Sequence, residues 1–129
     1  MKPPVITALL ADEEGHQRLF LKTALATMGL KVVAEAANGR EAVAQYRKVR
    51  PDVAFLDVNM PLMNGREALA AIREEFPDAL VIMLTSVARV LEVEACLRAG
   101  AANYLRKDTP LAQLRAEIRR TCSAHMAPH

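Results

Sequence analysis

The sequence predicts a three-layer, doubly wound α/β sandwich, with a five-stranded parallel sheet and five helices on its two faces. Two observations lead there. Short apolar runs rich in β-branched residues alternate with longer stretches whose apolar residues recur at helical spacing. The short runs are apolar throughout rather than at every second residue, as strands are when both faces of their sheet are covered. Regular strand–helix alternation, with no repeat, linker or low-complexity tract, then implies right-handed crossovers.

The strands are expected at Val5–Leu10, Val32–Ala36, Val53–Leu56, Leu80–Leu84 and, more weakly, Asn103–Leu105. The first helix is expected over Glu14–Met28, stopped by Gly29. The second spans Gly39–Arg50, capped by Asn38 and followed by Pro51, with Ala42, Val43, Tyr46 and Val49 on one stripe. The third, Arg66–Phe76, carries Leu69, Ile72 and Phe76 and ends at Pro77. The fourth, Ala88–Ala99, carries Leu91 and Ala95 inward and ends at Gly100. The fifth, Leu111–Cys122, follows Thr109-Pro110, with Leu111, Leu114 and Ile118 on its apolar stripe.

With 129 residues, 52% of them hydrophobic, the chain is long enough for one domain with a real core. That domain is expected over residues 1–122, with 123–129 a disordered tail whose His125 and His129 are solvated rather than metal-bound. Lys+Arg 17 against Asp+Glu 15 leaves +2, too near neutral to bind nucleic acid by bulk charge. With 4% aromatics and no Trp, no stacking platform for single strands is expected either. The first apolar run stops at Asp12-Glu13-Glu14, short of a membrane span or a secretory signal. Cys96 and Cys122 fit neither a disulfide framework nor a zinc spacing, so a cytoplasmic protein is expected.

Ligands of such sheets bind beyond the carboxyl ends of the strands, where the strand order reverses. Those ends carry Asp12-Glu13-Glu14, then Asp57 followed by Val58-Asn59-Met60-Pro61, then Thr85-Ser86, then Arg106-Lys107-Asp108. Gathered carboxylates repel one another unless a cation neutralises them, and hard oxygen donors favour Mg²⁺ or Ca²⁺. Lys107 offers an ammonium for a phosphoryl oxygen, and Thr85 offers a hydroxyl donor. Each residue has an ordinary alternative. Asp12 and Glu13 suit a helix start, Asp57 a turn, Thr85 a strand end, and Lys107 a solvated surface. Their joint placement at successive strand ends argues instead for a carboxylate, a divalent metal and a phosphoryl group.

The stretches Leu9–Glu13, Ala37–Ala42, Pro51–Asp57, Met60–Gly65, Leu84–Ser86, Ala99–Ala101 and Tyr104–Lys107 resemble the receiver domain of bacterial two-component response regulators, chemotaxis receivers among them. The resemblance runs from about Val5 to about Thr121, and Pro51 to Gly65 is its most specific part. It implies a flavodoxin-like sheet of order 2-1-3-4-5. It implies that Asp57 accepts a phosphoryl group from a histidine kinase or a phosphotransfer protein. Mg²⁺ would be held by Asp12, Glu13, Asp57 and the backbone carbonyl of Asn59. Thr85 and Lys107 would contact the phosphoryl group, and Tyr104 would be the aromatic switch. The chain would then be a signalling domain in a phosphorelay rather than an enzyme, catalysing only its own phosphoryl transfer and loss. Its output face would run along Ala88–Ala99, the fifth strand and Leu111–Cys122. Arg89, Glu92, Glu94, Arg98, Arg115 and Arg119 would meet a partner there, or a second copy in a homodimer.

Two positions depart from the family pattern. Glu13 stands where Asp is usual, and Asp108 follows the key lysine where a cis proline is common. A Lys-Asp pair is similar to receivers attached to helix-turn-helix output domains. Asn59 and Val87 flank the site at positions that tune phosphoryl lifetime in this family. Two other readings compete. A degenerate receiver would act only as a protein-interaction module, with Glu13 its best support. A small flavodoxin-shaped enzyme would bind FMN or hydrolyse phosphates. It lacks a Gly-rich loop after the first strand, where Asp12-Glu13-Glu14 would repel a phosphate.

Overall fold

The expected alternation organises the protein, whose computed structural model describes residues 5–86 and 89–126. The elements are β1 (Ile6–Ala11), α1 (Gly15–Ala26), β2 (Leu30–Ala36), α2 (Gly39–Val49), β3 (Val53–Asp57), α3 (Gly65–Glu75), β4 (Val81–Thr85), α4 (Val90–Arg98), β5 (Asn103–Arg106) and α5 (Leu111–Met126). The sheet order is β2-β1-β3-β4-β5, every neighbouring pair parallel, as the resemblance implied.

The continuous apolar runs are explained by two cores. Leu9, Leu56 and Met83 point to a core shared with Ala42, Leu69 and Cys96 of α2, α3 and α4. Their strand neighbours Leu10, Phe55 and Ile82 point the other way, to Leu21 and Leu25 of α1 and Leu114 of α5. Chain direction accounts for the split. The path from β1 to β2 runs toward one edge and every later crossover toward the other. Right-handed crossovers therefore place α1 and α2–α4 on opposite faces. That reversal opens the crevice between β1 and β3.

Several boundaries differ from the expected ones. α1 stops at Ala26, before the expected Met28, and Gly29 takes a φ of +83° to turn the chain into β2. α5 does not stop at Cys122 but continues to Met126, and the ring of His125 lies 3.2 Å from the Asp78 carbonyl oxygen. Leu91 does not face inward: it is 79% exposed, and Cys96 is the buried residue of α4. Leu111 is also exposed, at 39%. Val87, Ala88 and His129 lie outside the described residues.

Local chemistry fixes the starts of α2 and α3. The Asn38 side chain accepts the Glu41 N–H at 2.8 Å, capping α2. Asn64 and Glu67 form a reciprocal capping box at α3. Gly65 then packs the start of α3 against the end of β3. Its N–H donates to the Val58 carbonyl at 2.9 Å, and a Cβ there would overlap the Asp57 backbone oxygen. Backbone cannot swing aside, so Gly65→Ala is expected to cost about 2–3 kcal/mol and to displace the Asp57 end of β3. A thermal melt checks this, and an unchanged midpoint would show that the loop yields without strain.

Candidate functional site at the strand ends

Register places the two acids. Ala11 pairs with Leu56, so the next residues, Asp12 and Asp57, stand side by side where β1 and β3 end. Both are buried, at 1% and 5% exposure. Lys107 follows β5, and its N–H donates to the Thr85 carbonyl at 2.7 Å. Its Nζ reaches back to Asp12 Oδ2 at 2.5 Å and to Asp57 Oδ2 at 3.1 Å. The other carboxylate oxygens accept backbone donors: Asp12 Oδ1 from Glu14 N at 3.0 Å, and Asp57 Oδ1 from Asn59 N at 3.3 Å. Arg18 braces the same corner, its Nη1 donating to the Asp12 carbonyl and its Nε to Glu35.

The electrostatics follow from one ammonium facing two buried carboxylates. Burial pushes the Asp57 carboxyl above its ordinary range; Lys107 pulls it back and Asp12 raises it further. For Lys107, burial works against the charge, but the carboxylates of Asp12 and Asp57 outweigh it and hold the ammonium above its ordinary value. The two shifts have different causes: burial dominates at Asp57, and the paired carboxylates prevail at Lys107.

Thr85, buried at the end of β4, is next in the row. Tyr104 pairs in register with Met83, and its ring packs against the α2–α4 core. Its hydroxyl oxygen is buried, and burial pushes the phenol above its ordinary range while the Thr85 side chain eases that shift. A polar cavity of about 200 Å³ beside it is lined by Val58, Asn59, Thr85, Arg89, Glu92 and Tyr104.

The structure thus brings Asp12, Asp57 and Lys107 into contact, with Thr85 at the end of β4 and Tyr104 within β5. Glu13 is exposed, and Asn59 reaches Asp57 through its N–H. Among the described residues, no three His, Cys, Asp or Glu side chains converge to hold a metal. Mg²⁺ nonetheless needs only one or two carboxylates and keeps its waters. Two buried carboxylates sharing one cation are a donor set that fits it.

A family model described as Response regulator receiver domain matches residues 8–119. The chain belongs to that family. The Thermotoga maritima chemotaxis protein CheY is 34% identical over 99 residues, covering 77% of this chain and 82% of its own. The response regulator domain of Thermotoga maritima CheB superposes with a TM-score of 0.85 at 30% identity, over 98% of this chain and 99% of its own. CheY of Borrelia burgdorferi, solved in a CheX-CheY-BeF3-Mg²⁺ complex, gives 0.84 at 26% identity, over 95% and 90%. In this receiver the peptide after Lys107 is trans, because no cis bond occurs among the described residues. Sequence reasoning missed Arg18, whose signal was only its placement one turn into the helix after the acids. It also missed the pairing of Arg106 with Asp108 across Lys107, which only the turn between them brings about.

Proposed function

We propose that this receiver is a phosphoacceptor in the cytoplasm, taking a phosphoryl group on Asp57 from the phosphohistidine of a sensor kinase or phosphotransfer protein. The best support is the buried Asp57 carboxylate with the Lys107 ammonium 3.1 Å away. An Asp57 oxygen attacks phosphorus as the P–N bond to the donor imidazole breaks, and the electron pair leaves on that nitrogen. Lys107 and Thr85 stabilise charge on the phosphoryl oxygens. Mg²⁺ supplies further positive charge when bound; Asp12, Asp57 and the Asn59 carbonyl would hold it, with exposed Glu13 acting through water. Asp12→Asn is expected to weaken Mg²⁺ binding by about tenfold or more, and Glu13→Gln by less than about threefold, since an exposed charge is screened. Calorimetric titration separates the two. Equal losses would make Glu13 a direct ligand.

Thr85 and Tyr104 would carry the mark outward. A Thr85 hydroxyl drawn to a phosphoryl oxygen leaves space for the Tyr104 ring, which changes the α4–β5–α5 face. That face would meet a partner or a second copy. The deciding experiment is intact mass after treatment with acetyl phosphate and Mg²⁺. Gain of one phosphoryl group supports the reading, and no gain, with Mg²⁺ bound, leaves a receiver that acts only as an interaction module. Beryllofluoride should alter self-association or partner binding in wild type and much less in Tyr104→Ala; equal responses would remove Tyr104 from the switch.

A further inference from the structure

Lys107 lies in a turn closed by the Thr109 N–H donating to the Arg106 carbonyl at 3.2 Å. The residues on either side of it are joined on the outside. Arg106 Nε donates to Asp108 Oδ1 at 2.9 Å, and Arg106 Nη2 to Oδ2 at 2.8 Å. These two side chains are 52% and 63% exposed, whereas Lys107 between them is 10% exposed and points to the acids. A lone surface ion pair contributes little, because both side chains are free to swing. This pair differs in two ways: it is bidentate, which fixes the plane of the guanidinium, and it spans only the turn itself.

We propose that the Arg106–Asp108 pair is a positioning device for Lys107, closing the turn from outside so that the ammonium stays on Asp12 and Asp57. Lysine has a long flexible stem, and holding it in one place costs side-chain entropy. Fixing the backbone at both neighbours lowers the number of directions from which that stem can start. Arg106 and Asp108 touch no reacting group; they act through Lys107. The consequence for phosphoryl transfer rests on the reading of Asp57 above, but the pinning of Lys107 does not.

The test uses the whole chain with Asp108→Asn, Arg106→Gln and the exchanged pair Arg106→Asp/Asp108→Arg. Acetic anhydride labels amines, and peptide mass spectrometry gives the Lys107 rate relative to exposed Lys48. Each single change is expected to raise the Lys107 rate about threefold to fivefold, the upper range for an exposed pair, and the exchange to bring it back within about twofold. About 0.5 M salt should raise the rate in wild type but add little in the single variants. Unchanged rates, an equal rise at Lys48, or no recovery in the exchanged pair would overturn the proposal. Acetyl phosphate provides the second arm: the single variants should take up phosphoryl groups more slowly by a similar factor, and the exchange should restore the rate. If wild type takes up none, the phosphoacceptor reading fails while the labelling rates still decide the role of the pair.

Discussion

Asp57→Asn is expected to leave a receiver that takes up no phosphoryl group and yet melts higher than wild type. The functional loss should be at least about a thousandfold, because an amide oxygen is a poor nucleophile. The gain in stability has a separate cause. Asp57 is buried beside Asp12, and they share one ammonium. An asparagine keeps the shape and the Asn59 N–H bond, removes a buried charge, and leaves Lys107 to Asp12. A gain of about 1–2 kcal/mol follows, or about 3–6 °C in a domain of this size. The pH dependence gives the sign. The folded-state pKa of Asp57 is raised, so the native protein binds this proton at higher pH than the unfolded chain does. The cost of the charge is complete near neutrality and is relieved as pH falls through the folded value toward the ordinary one. The advantage of the asparagine variant should therefore shrink on acidification in metal-free buffer. Equal phosphoryl incorporation in the two proteins would remove Asp57 from its role, and a lower midpoint in the variant would show that the carboxylate is well compensated.

Why sequence served some elements well is visible in the residues. β3 and β4 are buried on both faces, so all ten of their positions report burial and their placement was legible. The acids could be located because the fold puts strand ends together, and each strand end could be counted. What was not legible depends on direction. Leu91 has the right spacing for the core, but Cys96 fills it and Leu91 turns out to solvent. The full length of α5 is not legible because Ser123 and Ala124 add no large apolar residue to its stripe, whereas the helix needs only unbroken backbone to continue. Asp12 and Glu13 are adjacent and alike in type, yet one is buried on Lys107 and the other exposed. Composition cannot separate them; the end of β1 does, because the Asp12 N–H still bonds the Ala36 carbonyl of β2 and keeps that residue in the row of strand ends. The Arg106–Asp108 pair was hidden for the same reason, since two charges at i and i+2 meet only when the turn between them is known.

Lys107→Ala should uncouple the two things its ammonium does. In metal-free buffer near neutrality it leaves Asp12 and Asp57 buried and facing one another without the cation both now accept from. Removing one partner of a buried pair is costly, and about 2–4 kcal/mol of stability should be lost, the opposite sign to Asp57→Asn. Mg²⁺ should then bind the variant more tightly than wild type, by about tenfold, because the carboxylates no longer share their charge with an ammonium. Linkage converts that into as much as about 1.4 kcal/mol of extra stabilisation by Mg²⁺. Phosphoryl uptake should not recover with it. The ammonium on the side of the incoming oxygens is gone, and a loss of about a hundredfold or more is expected even with Mg²⁺ saturating. Thermal melts with chelator and with Mg²⁺, set beside acetyl phosphate incorporation, measure both. If Mg²⁺ restores stability and uptake together, Lys107 serves only to neutralise the acids. If Mg²⁺ binds no more tightly in the variant, Asp12 and Asp57 are not in competition for a cation, and the metal assignment fails while that of Asp57 stands or falls on its own mutant.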